Sequence, residues 1–86
     1  MYSLIIRPKA EKHFSKLPKK LQGKVLKSLK KLENNPFQVG LDIKKLAGTK
    51  KSYRLRIGEL RVLYQLDTGS KNISVEDIDF RRTTTY

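Results

Sequence analysis

Apolar and polar side chains alternate at the start of the chain. Tyr2, Leu4 and Ile6 share one side, Ser3 and Ile5 the other, which predicts a strand over Met1–Arg7. Pro8 ends that strand and suits the first turn of a helix, where its missing N–H costs nothing. The period then changes. Ala10, Phe14 and Leu17 recur at helical spacing, with Glu11, Lys12 and Lys16 outside the stripe. Pro18 breaks this run and opens a longer helix to Asn34. There Leu21, Val25, Leu29 and Leu32 recur at steps of four, four and three, and Leu26 widens the stripe. Asn34-Asn35-Pro36 is a stop signal. Two helices around one proline predict a helical hairpin laid on a sheet.

Residues Phe37–Lys51 read as a connecting loop, with Val39, Leu41, Ile43 and Leu46 as anchors and Gly48 as a turn. Period-two alternation follows. Tyr53, Leu55 and Ile57 alternate with Ser52, Arg54 and Arg56; Leu60, Val62, Tyr64 and Leu66 alternate with Arg61, Leu63 and Gln65. Gly58-Glu59 between them is the signature of a type II′ hairpin, and a two-residue loop fixes the register. Ile57 then opposes Leu60, Arg56 opposes Arg61, Leu55 opposes Val62, Arg54 opposes Leu63 and Tyr53 opposes Tyr64. One face is wholly apolar or aromatic and must take the helices. The other carries Arg54, Arg56, Arg61 and Leu63.

A second turn at Asp67–Lys71 leads into a last strand, Asn72–Arg81. Ile73 and Val75 are out of phase with Ile78 and Phe80, so one extra residue near Glu76-Asp77, a β-bulge, is needed to bury both pairs. Beyond it Asp77, Asp79 and Arg81 project onto the arginine face, and either aspartate could orient an arginine. The expected fold is α+β: an N-terminal strand, a helical hairpin, then a three-stranded antiparallel meander, with the helices on one face of the sheet.

With 86 residues, 37% of them apolar, the chain makes one thin core and one domain spanning 1–86. It has no cysteine, which excludes disulfides, thiolate metal sites and cysteine nucleophiles. No apolar run approaches the ~18 residues of a membrane span, so a cytoplasmic protein without a membrane partner is expected. Twenty Lys and Arg stand against eight Asp and Glu, a net charge of +12 that calls for a polyanionic partner.

Charge also singles out the sheet. Arg56 directly opposite Arg61, with Arg54 two residues along, is a like-charge conflict. Arginine, unlike lysine, offers planar bidentate recognition of phosphate. A cation among these arginines is electrostatically disfavoured, so the carboxylates suggest no metal, and no cofactor motif is present. His13 is the sole histidine, remote in sequence and without a visible partner. The reaction open to such a set is RNA cleavage by its own 2′-hydroxyl, in which the protein aligns the nucleophile and stabilises charge. Tyr86, close to Arg81 and Arg82, is a candidate base if cations lower its pKa from about 10.

The stretch Lys44-Lys45-Leu46-Ala47-Gly48, followed by Tyr53-Arg54-Leu55-Arg56-Ile57-Gly58-Glu59-Leu60-Arg61-Val62-Leu63-Tyr64, resembles the RelE/ParE superfamily of type II toxins, and the element order agrees over essentially the whole chain. The resemblance implies a small cognate RelB-like antitoxin. In the RelE branch it implies a metal-independent endoribonuclease that cuts mRNA in the ribosomal A site; in the ParE branch, a non-enzymatic inhibitor of DNA gyrase. Carried over by position, the RelE-type residues fall on Arg54, Arg56, Arg61, Arg81 and Tyr86, with Tyr86 as base and Arg81 as acid. Phe80 stands where many relatives have histidine, and the spacing from Arg81 to Tyr86 differs from several members. Lys19, Lys20, Lys24, Lys27, Lys30, Lys31 and Arg82 are the expected RNA-binding residues.

Overall fold

The computed structural model describes residues 1–37 and 40–80. Its elements are β1 (Ser3–Ile6), α1 (Pro8–Ser15), α2 (Lys19–Asn34), β2 (Asp42–Lys45), β3 (Ser52–Ile57), β4 (Leu60–Asp67) and β5 (Asn72–Phe80). The five strands form one sheet in the order β1-β5-β4-β3-β2. β1 runs parallel to β5, with Ser3 opposite Asn72 and Ile6 opposite Val75, and every other pairing is antiparallel. Both helices pack against one face.

Local chemistry accounts for these boundaries. Pro8 occupies the first turn of α1, preceded by the extended N-cap Arg7. Pro18 is the N-cap of α2, and its carbonyl accepts the amides of Leu21 and Gln22. α2 ends where Asn35 turns extended before Pro36. The β3–β4 hairpin has the expected register from Ile57↔Leu60 to Tyr53↔Tyr64. Gly58 takes φ +59° while Glu59 stays out of the left-handed region, as a type II′ turn requires. The next turn is held by Asp67, whose carboxylate accepts the Gly69 and Ser70 amides and contacts Lys51; these bonds keep its carboxyl below the ordinary carboxylate range.

The bulge is present. Leu63 opposes Asp77 but Tyr64 opposes Val75, so Glu76 is the extra residue. Ile73, Val75 and Ile78 are all buried as a result, and Phe80 packs at the core's margin. They meet Leu55, Leu60, Val62 and Tyr64 from the hairpin and Ala10, Leu17, Val25, Leu29 and Leu32 from the helical layer.

Two expectations need correction. The connecting stretch is not all loop: Asp42–Lys45 forms β2, which pairs with β3 and turns the predicted meander of three strands into one of four. Leu41, Ile43 and Leu46 do anchor it as half-buried residues, while Val39 lies outside the described residues. Leu26 is not part of the core. It lies one position, about 100°, round the helix from Val25, and is 52% exposed.

Candidate functional site

The three pairings of the meander align four charged residues in one row across β2, β3, β4 and β5: Asp42, Arg56, Arg61, Asp79. The two arginines do face each other, but each has a carboxylate on its outer side. Arg61 donates to Asp79 twice, from Nε at 3.1 Å and from a terminal nitrogen at 3.3 Å. Arg56 reaches Asp42 only through a 3.6 Å Nε contact, too long for a hydrogen bond. The like-charge conflict expected from the register is therefore offset by flanking acids, one of them on the unpredicted strand.

The neighbouring row has no such compensation. Lys44 opposes Arg54, which opposes Leu63. Asp77 is next in register, yet it does not join the arginine face as predicted. Its carboxylate accepts from His13 Nδ1 at 2.7 Å and from the Ile78 amide at 2.8 Å, with Lys9 at 3.5 Å. Asp77 directly follows the extra residue Glu76, and a bulge re-aims the side chain next to it. Arg54 has no ion pair with any described residue. The Nε atoms of both Arg54 and Arg56 are buried without a hydrogen-bond partner.

His13 thus has a partner 64 residues away, contrary to expectation. Only a tertiary contact reveals it, so no sequence signal could have found it. Tyr64, on the opposite face of the sheet, stacks on Tyr53 with ring centroids 5.8 Å apart. Its hydroxyl is buried and unpartnered; that burial, and secondarily the nearby Tyr53, push its pKa upward.

The lysines predicted to bind RNA are all exposed on α2, which carries six of them and a single acid, Glu33. Lys20, Lys24, Lys27 and Lys31, at steps of four, three and four, form one cationic stripe on the side turned from the sheet. Arg81, Arg82 and Tyr86 lie outside the described residues. Among those described, no cluster of metal-ligating side chains occurs, and no helix is long and apolar enough to cross a membrane.

A five-stranded sheet is thus backed by two helices on one face and carries Arg54, Arg56 and Arg61 on the other. The family model for the ParE toxin of the type II toxin-antitoxin system, parDE, matches residues 4–83. RelE in the archaeal RelE–RelB complex from Pyrococcus horikoshii is 30% identical, with 93% of this chain and 94% of that chain covered at a TM-score of 0.82. The Mycobacterium tuberculosis RelBE2 complex (23% identical, 93% and 98% covered, TM-score 0.78) and isolated Escherichia coli RelE (21%, 93% and 84%, 0.78) share the fold. No curated protein sequence matches. The chain belongs to the RelE/ParE superfamily of type II toxins.

Proposed function

We propose that this toxin is a ribosome-dependent mRNA endoribonuclease that acts without a metal. The observation that carries the reading is the pair of half-buried arginines, Arg54 and Arg56, at alternate positions of β3 with Arg61 opposite Arg56. Partial burial weakens solvent screening of a guanidinium's charge and so strengthens its hold on an anionic oxygen. Alternate residues of one strand leave the backbone on the same face about 7 Å apart, a spacing from which two guanidiniums can converge on one phosphodiester.

The 2′-hydroxyl of the message attacks the adjacent phosphorus, the 2′-O–P bond forms and the bond to the 5′-oxygen breaks. Arg54 and Arg56 donate to the non-bridging oxygens as negative charge builds there, and Arg61, steadied by Asp79, supplies a third cation. Tyr86 takes the 2′-hydroxyl proton and Arg81 serves the leaving oxygen, roles that the family resemblance suggests. DNA lacks the nucleophile, so the reaction is confined to RNA. The α2 lysines hold ribosomal RNA, and a RelB-like antitoxin neutralises the toxin, in line with the RelE–RelB assemblies of its relatives.

Purified toxin added to translating ribosomes, with primer extension along the message, tests this reading. Discrete cleavage products that vanish with Arg54→Ala support it; intact message rejects it. The parDE match supports a second reading, gyrase inhibition. Pulse labelling after induction separates the two, because DNA synthesis then stops before translation.

A further inference from the structure

β1 pairs with β5 only from Asn72 to Val75, so the second half of β5 extends beyond it, and α1 packs there instead. Between α1 and this half-strand lies a cavity of about 250 Å³, lined by His13, Lys16, Leu17, Ile78, Asp79 and Phe80. Pockets for drug-sized ligands measure roughly 300–1,000 Å³, so this one suits a single planar ring system. Leu17 and Ile78 supply apolar wall. Phe80 and His13 supply two flat rings, the side chains on which unpaired bases stack.

His13 is held for such a role. A carboxylate has no proton to give, so Nδ1 is the donor in the 2.7 Å bond to Asp77. Nε2 is left without a partner among the described residues, on a ring fixed from behind. The Asp77 side chain is 14% exposed and also tied to the Ile78 amide, so the support is rigid. A cation is at hand for an anionic ligand: Lys16 lines the cavity, and the one acid that lines it, Asp79, is already neutralised by Arg61. Asp79 connects the cavity to the arginine row, since it lines the cavity and accepts from Arg61.

A flat ring attached to an anion, next to a phosphate-binding face, is a nucleotide. An acidic peptide meets the cations but offers no ring for His13 and Phe80. We propose that this cavity is a base-binding subsite, taking one nucleobase of the RNA strand whose phosphates lie on Arg54 and Arg56. The assignment to RNA rests on the ribonuclease reading; the binding itself is testable without ribosomes.

The experiment is an NMR titration of the full chain with AMP, GMP, CMP and UMP, with ribose 5-phosphate as the ringless control. At least one nucleotide is expected to shift the His13 ring, the Leu17 and Ile78 methyls and the Phe80 ring saturably, while ribose 5-phosphate leaves the Ile78 methyls in place. His13→Ala should weaken binding about fivefold. Leu17→Phe, which fills the cavity, should weaken it as much, with the Tyr53 and Tyr64 signals reporting an intact fold. Shifts confined to lysines and sheet arginines, alike for nucleotide and control, overturn the subsite. Message cleavage is scored separately. Saturable nucleotide binding without cleavage rejects the ribonuclease reading and upholds the subsite; cleavage without nucleotide shifts rejects the subsite alone.

Discussion

Arg61 and Asp79 face each other across β4 and β5, joined by two hydrogen bonds of 3.1 and 3.3 Å. A guanidinium held at two points keeps its plane, so Asp79 fixes the orientation of the Arg61 guanidinium. Both side chains are about one-third exposed, 31% and 34%, so the pair adds under about 1 kcal/mol to stability. Asp79→Ala should therefore lower kcat for message cleavage about tenfold while shifting the urea midpoint little. Asp79→Glu should recover part of the rate. Equal loss of rate in both variants would argue against a role in positioning.

Arg54 should behave in the opposite sense to a stabilising residue. It faces Lys44 and has a buried, unbonded Nε, so Arg54→Ala relieves two unfavourable terms. Urea unfolding should show unchanged stability or a gain of up to about 1 kcal/mol, with cleavage down about a hundredfold. A clear loss of stability would mean that the guanidinium contributes to the fold itself.

Tyr64 predicts an alkaline effect. Its folded pKa is raised above the ordinary value of about 10 by burial, and next by Tyr53. The stability this group contributes is complete below pH 10. It is lost as pH climbs further, because the unfolded chain releases the proton while the folded chain retains it. The loss approaches about 1.4 kcal/mol per pH unit. Tyr64→Phe should flatten that limb and, by deleting an orphaned hydroxyl, raise stability at pH 7 by about 1 kcal/mol. Matching profiles for the two proteins above pH 10 would contradict the burial of the hydroxyl.

The α2 stripe predicts salt sensitivity. Replacing Lys20, Lys24, Lys27 and Lys31 with Gln should weaken ribosome binding and reduce its log–log salt slope by about 3. An unchanged slope would place the RNA contacts elsewhere.

Where local chemistry dictated structure, the amino-acid order was readable. Gly58-Glu59 specified the β3–β4 register, and the phase slip between Val75 and Ile78 required the bulge. β2 escaped notice because it is four residues long with one apolar side chain, Ile43, too short to display a period. That omission propagated: without β2, Asp42 had no place beside Arg56, and the facing arginines looked uncompensated. The His13–Asp77 bond and the exposure of Leu26 depend on how helices seat against strands, which side-chain spacing does not encode.

The parallel pairing of β1 with β5 has a consequence for folding. Ser3 and its neighbour Asn72 lie 69 positions apart in the sequence. Contacts so distant along the chain are slow to form. The row of Arg56, Arg61 and Asp79 depends only on the shorter-range β3–β4 and β4–β5 pairings, so it can assemble before β1 docks at the sheet's edge.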